Sequence, residues 1–147
     1  MIKVLVAEDN PVNRELLREL LENRGYTVVE ACDGQEALRM LDETQPDILL
    51  LDIGMPVLDG YAVARRIREN PALAPLPLLA ITAYAMQGDR DKILHSGFDG
   101  YLSKPVNARA LADELERLLR KREDRNTPPN QLHESSPSAK RRIAETG

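Results

Sequence analysis

The sequence predicts an α/β protein built on a doubly wound parallel sheet of five strands, each followed by a helix. Two observations carry this expectation. Short aliphatic runs alternate with longer amphipathic stretches, five of each. Such alternation implies a parallel sheet with right-handed crossovers and helices on both faces. The runs are also continuously apolar more often than they alternate, as strands buried on both faces require.

The aliphatic runs are Ile2–Ala7, Thr27–Ala31, Ile48–Leu51, Leu76–Ile81 and Gly100–Leu102. The first helix starts with Asn10 as N-cap and Pro11 at the first helical position, a favoured pairing. In it Val12, Leu16 and Leu20 recur every four residues, flanked by Leu17 and Leu21, and Gly25 ends it as a left-handed residue. The second helix runs from about Gly34 to Glu43 and buries Ala37, Leu38 and Leu41. The third starts near Asp59 and carries Val63, Ala64 and Ile67. The fourth, from about Gly88 to Ser96, has a weak apolar face of Ile93 and Leu94 and stops at Gly97. The fifth starts at Asn107 and shows Leu111, Leu115, Leu118 and Leu119 at helical spacing.

A length of 147 residues suits one domain with a short extension. Aromatics are 3% of the chain, so the core must be aliphatic. Residues 1–120 carry a net charge of −6 and the remainder +2. An acidic domain gives no support for nucleic-acid binding. Cys32 has no partner for an internal disulfide, which points to a reducing compartment, and it is expected to pack against the sheet. The apolar run at the N-terminus is too short for a signal peptide, and no stretch approaches the roughly 20 residues that span a bilayer. The expected location is therefore the cytoplasm, away from membranes. Beyond Lys121 the chain turns rich in Pro, Ser, Asn and charge without an apolar period. The reading is a folded domain over residues 1–121 and a disordered tail over 122–147. That tail is too short for a second folded domain.

In an open parallel sheet, ligands bind beyond the carboxyl ends of the strands. The first run ends in Glu8-Asp9, the third in Asp52 and the fourth in Thr82, and Lys104-Pro105 follows the fifth. Three carboxylates brought to one rim repel one another. A hard divalent cation with oxygen ligands resolves this, and Mg²⁺ is the natural candidate. A carboxylate beside such a cation stays ionised and can attack phosphorus. Lys104 can pair with a phosphoryl oxygen, and the Thr82 hydroxyl can donate to another. The set meets the needs of phosphoryl transfer to an aspartate.

Glu8-Asp9, Asp52 within LLLDIGMPVLDG, Thr82 within LAITAYA and Lys104-Pro105 within GYLSKPV resemble the receiver domains of two-component signalling. The likeness covers about residues 1–120. It implies a flavodoxin-like sheet of order 2-1-3-4-5. It implies that Asp52 accepts a phosphoryl group from a phosphohistidine on a histidine kinase or phosphotransfer protein. Glu8, Asp9, Asp52 and the backbone carbonyl of Gly54 would bind Mg²⁺. Thr82 and Tyr101 match the switch pair, and the Lys104–Pro105 bond is expected to be cis. The fourth helix, fifth strand and fifth helix would present the readout face to a downstream protein. Asn13, Leu16 and Leu17 on the first helix are candidates for docking the phosphodonor.

Two positions depart from the family pattern. Glu8 stands where Asp is more frequent. Gly54 replaces a larger residue, which bears on how long an acyl phosphate survives in water. The opening AEDNPVNRELL and the stretch ITAYAMQGDRDKILHSGFDGYLSKP look most like receivers of phosphorelays, either stand-alone or attached to hybrid kinases.

Other readings compete. An Asp-nucleophile phosphatase commonly carries a second Asp where this chain has Gly54, so an enzyme turning over a separate substrate is disfavoured. A dinucleotide site needs glycines where Ala7-Glu8-Asp9-Asn10-Pro11 stands. A phosphorylation-independent interaction module on the same fold is the remaining alternative. His95 and His133 lack neighbours at metal-ligand spacing, and Lys140-Arg141-Arg142 reads as a solvated basic patch.

Overall fold

The aliphatic runs become the strands β1 (Lys3–Ala7), β2 (Thr27–Ala31), β3 (Ile48–Asp52), β4 (Leu78–Thr82) and β5 (Gly100–Ser103). The computed structural model describes residues 1–55, 57–83 and 87–126. Pro56, the centre of the loop from β4 to the fourth helix and the expected tail beyond residue 126 lie outside them. Neighbouring strands are all parallel, in the order β2-β1-β3-β4-β5. The resemblance implied this order. The helices are α1 (Pro11–Glu22), α2 (Gly34–Thr44), α3 (Gly60–Glu69), α4 (Gln87–His95) and α5 (Ala108–Asn126).

Alternate strand residues point to opposite faces of a sheet. Val4, Val6, Ile48, Leu50, Leu79 and Ile81 face one way and pack with side chains of α1 and α5. Leu5, Ala7, Leu49, Leu51, Leu78 and Ala80 face the other way and pack with α2, α3 and Ile93 of α4. Each fully buried Leu or Ile contributes about 1.5–3 kcal/mol relative to exposure, so these two layers dominate the stability.

Polar side chains set where the helices begin. Asn10 accepts hydrogen bonds from the N–H groups of Val12 and Asn13, Asp33 from Glu36, and Asp59 from Ala62. Each satisfies donors that have no partner inside the helix. Gly25 and Gly97 take positive φ after α1 and α4, at 90° and 107°, where L side chains are disfavoured.

Several expectations are corrected. On α1 the core-facing pair is Leu17 and Leu21, while Val12 is 73% and Leu16 48% exposed. Leu17 and Leu21 pack in the layer beneath β1 and β2, and Leu20 is partly buried against the same layer. Leu17, a docking candidate, packs in the core and also lines the small cleft beside Glu8 and Lys104. Cys32 is exposed rather than packed on the sheet. Strand β2 ends at buried Ala31, and Cys32 turns outward, its N–H donating to Glu36 Oε1 at 2.6 Å. Helix α5 runs to Asn126, so residues 122–126, assigned to the tail, are helical. Strong helix formers continue past Lys121, and Arg122 ties the extension to the body by donating to Asp47 Oδ1 at 2.8 Å. Among the described residues no helix is long and apolar enough to cross a membrane.

Candidate phosphoacceptor and metal site

The parallel register brings the carboxyl ends of β1, β3, β4 and β5 to one rim. Asp52 and Thr82 are the last residues of the two adjacent central strands. Glu8 follows β1, and its N–H donates to Ala31 O at 3.1 Å, which prolongs the sheet by one bond. Beyond β5, Lys104 N–H donates to Thr82 O at 2.8 Å and fastens that loop to β4. The Lys104–Pro105 peptide is cis.

The Lys104 ammonium lies 2.9 Å from Asp52 Oδ2 and 3.1 Å from Glu8 Oε1. One carboxylate oxygen from each of Glu8, Asp9 and Asp52 lies within 4.8 Å of the other two. Glu8, Asp52 and Thr82 are buried and Asp9 is exposed. Asp52 Oδ1 accepts from the Gly54 N–H at 3.0 Å. Asp52, Ile53, Gly54, Thr82, Ala83 and Lys104 enclose a cleft of about 240 Å³.

Burial is the main reason that the Glu8 carboxyl is pushed up to about 7, with the neighbouring Asp52 charge adding to it. The Asn10 N–H and Lys104 oppose the rise. For Lys104, burial works to lower the pKa, but its pairing with the Asp52 and Glu8 carboxylates outweighs it, and the net shift is upward. Lys104 is thus held as a cation against two carboxyl groups.

Glu8 Oε2 accepts from the Asn10 N–H at 3.1 Å. Its Oε1 is buried and makes no well-angled hydrogen bond, despite the nearby ammonium. An under-coordinated buried carboxylate oxygen beside two further carboxylates is a demand for positive charge. The donors are all oxygens, which suits a hard divalent cation. The residues present therefore fit a metal of this class.

Tyr101 is half-buried on β5 and does not line the cleft. It packs against the α2–α3 side of the core, with the Arg90 guanidinium 5.6 Å from its ring centroid. Asn13 and Leu16 border a smaller cleft of about 70 Å³ that also touches Glu8 and Lys104. Sequence reasoning passed over Arg14, whose Nη1 donates to Glu8 O at 2.8 Å. No motif marks an arginine one turn into a helix. The available signal was geometric: position 14 sits one turn after the N-cap, above the strand end.

Comparison with known proteins agrees with this arrangement. The family model described as response regulator receiver domain matches residues 4–116. Hybrid signal transduction histidine kinase I of Dictyostelium discoideum is 38% identical over 140 residues, 90% of this chain, and the chain spans 8% of that protein's length. The polar-differentiation response regulator DivK of Brucella anthropi is 34% identical over 116 residues, covering 79% of this chain and 94% of DivK. Among solved structures, a sensor histidine kinase receiver domain from Pseudomonas aeruginosa, described with magnesium coordinated in its active-site cleft, has a TM-score of 0.75 at 38% identity. That match covers 80% of this chain and 97% of the other. A response regulator from Chloroflexus aurantiacus reaches a TM-score of 0.78 at 30% identity over 81% of this chain and 98% of its own. From fold, strand-end chemistry and these likenesses alike, the chain belongs to the response regulator receiver domain family of two-component signalling.

Proposed function

We propose that this chain is a phosphorylation switch in which Asp52 takes a phosphoryl group from a phosphohistidine on a histidine kinase or phosphotransfer protein. One observation carries the reading: a lysine ammonium 2.9 Å from the Asp52 carboxylate, inside a cluster of three carboxyl groups. Glu8, Asp9, Asp52 and the Gly54 carbonyl would hold Mg²⁺, which supplies positive charge against the phosphoryl oxygens. An Asp52 oxygen attacks phosphorus and forms an O–P bond. The N–P bond of the phosphohistidine breaks, and its electron pair stays on the imidazole. Lys104 moves its pairing onto a phosphoryl oxygen, and the Thr82 hydroxyl donates to another. The added charge of about −1.5 to −2 then biases the segment between β4 and α4 together with Tyr101. The readout is a change in protein contacts on α4, β5 and α5. The donor docks along α1 through Asn13 and Leu16, with exposed Val12 beside them. The chain transforms no separate substrate, and a reducing cytoplasm suits its lone cysteine.

The test is intact mass after incubation with acetyl phosphate, with and without Mg²⁺, for wild type and Asp52→Asn. One phosphoryl adduct is expected, dependent on Mg²⁺ and absent from the variant. An adduct of equal yield on Asp52→Asn would sink the assignment. No adduct from either acetyl phosphate or a phosphohistidine donor, with no Mg²⁺ binding by calorimetry, would leave the phosphorylation-independent interaction module in its place.

A further inference from the structure

The acidic loop from Glu8 to Asn10 is held at several points, and one of them comes from outside the motif. The Glu8 N–H is fixed by Ala31 O, and one of its carboxylate oxygens by the Asn10 N–H. Its carbonyl accepts from Arg14 Nη1 at 2.8 Å. Arg14 Nε lies 3.4 Å from Glu30 Oε1 on β2, and the other Glu30 oxygen accepts from Arg18 Nη1 at 2.7 Å. The Arg14 side chain is 20% exposed. One guanidinium thus spans from the edge strand of the sheet to the peptide joining Glu8 to Asp9.

We infer that Arg14 is a positioning residue for the metal site: it locks the Glu8–Asp9 peptide so that both carboxylates stay beside Asp52. This rests on the phosphoacceptor reading above. Asp9 is exposed, so packing does little to place it, and the peptide that precedes it fixes the position of the backbone from which its carboxylate reaches the site. A guanidinium reaches two acceptors in a fixed planar fork, whereas a lysine ammonium is a single point on a flexible stem. Groups that orient the ligands of a metal commonly change its affinity about 10–100-fold when removed. Charge alone argues the opposite way. A cation near a divalent ion repels it, so deleting Arg14 would tighten binding if electrostatics were its whole role. The two roles therefore predict opposite signs.

The experiment compares the full chain as wild type, Arg14→Ala, Arg14→Lys and Arg18→Ala. Arg18 shares Glu30 but donates nothing to the acidic loop, so it controls for loss of the ion pair. Calorimetry measures Mg²⁺ affinity, and NMR order parameters of the Glu8, Asp9 and Asn10 amides are recorded without metal. Arg14→Ala and Arg14→Lys should each weaken Mg²⁺ binding about tenfold and lower the order parameters of those amides. Arg18→Ala should do neither. Mg²⁺ binding by Arg14→Ala as tight as wild type or tighter, with unchanged order parameters, would overturn the inference. If wild type itself binds no Mg²⁺, the phosphoacceptor reading fails, and the metal-free order parameters still decide whether Arg14 holds the loop.

Discussion

Gly54 leaves one wall of the cleft bare. It is exposed, and a Cβ built on it meets Asp52 Oδ1 at 3.8 Å, an ordinary contact distance. A larger side chain therefore fits there without displacing the carboxylate, and it would stand between an acyl phosphate and solvent. Gly54→Met is expected to lengthen the half-life of the phosphorylated protein several-fold, measured by the decay of the adduct in intact-mass spectra. An unchanged or shortened half-life would show that water reaches phosphorus by another path. At this scale Glu8, Asp9, Asp52, Thr82 and Lys104 were legible from sequence because each sits at the end of an apolar run, where parallel topology collects side chains. Arg14 was not, because its role depends on a carbonyl six residues earlier, and backbone acceptors leave no trace in a sequence. That Leu17 turns into the core is hidden for a related reason. Several apolar residues on one helix do not say which of them turns inward.

One residue before its end, helix α3 carries an arginine that gathers four segments. Arg68 donates to the carbonyls of Ala74, Leu76 and Gly97, and to Asp99 Oδ2 at 2.8 Å. Asp99 in turn accepts from the Leu78 N–H, the first residue of β4. The clamp joins the end of α3, the loop into β4, the end of α4 and the entry to β5. Removing it leaves part-buried carbonyls and a carboxylate without their donor. Arg68→Ala should lower stability by about 2–3 kcal/mol, read by urea unfolding. A loss below a few tenths of that size would mean water replaces the guanidinium. Element existence and order were readable from the alternation of runs, and helix starts from Asn10, Asp33 and Asp59. Ends were less so. Helix α2 closes on Gln45 at φ 49° without a glycine to announce it. Helix α5 continues past a change in composition because Arg122 finds Asp47, a partner 75 residues away.

Across the whole molecule, a sheet sandwiched between two apolar layers carries a polar rim at one end. Leu50 lies at the centre, fully buried in β3 and facing α1 and α5. Leu50→Ala should cost about 2–5 kcal/mol, with the slope of the urea transition unchanged. A changed slope would signal that the variant no longer unfolds in one step. The fold was legible because burial on both faces leaves runs without alternation, and a short run such as Ile48–Leu51 stands between amphipathic stretches of helical length. The convergence of Glu8, Asp52 and Lys104 followed from the topology; the distances and the raised Glu8 pKa needed coordinates.

Helix α4 is seated on the core differently from its neighbours. Ile93 is the one buried side chain among its described residues, whereas α3 buries Gly60, Val63, Ala64 and Ile67. Besides that apolar peg, Arg90 lies against the Tyr101 ring and Lys92 against the Tyr61 ring, so exchanging Asp91 or Leu94 leaves the core and the acidic rim undisturbed. If α4 serves as the readout face proposed above, duplicated copies of such a gene can diverge in whom they address while inheriting the same chemistry.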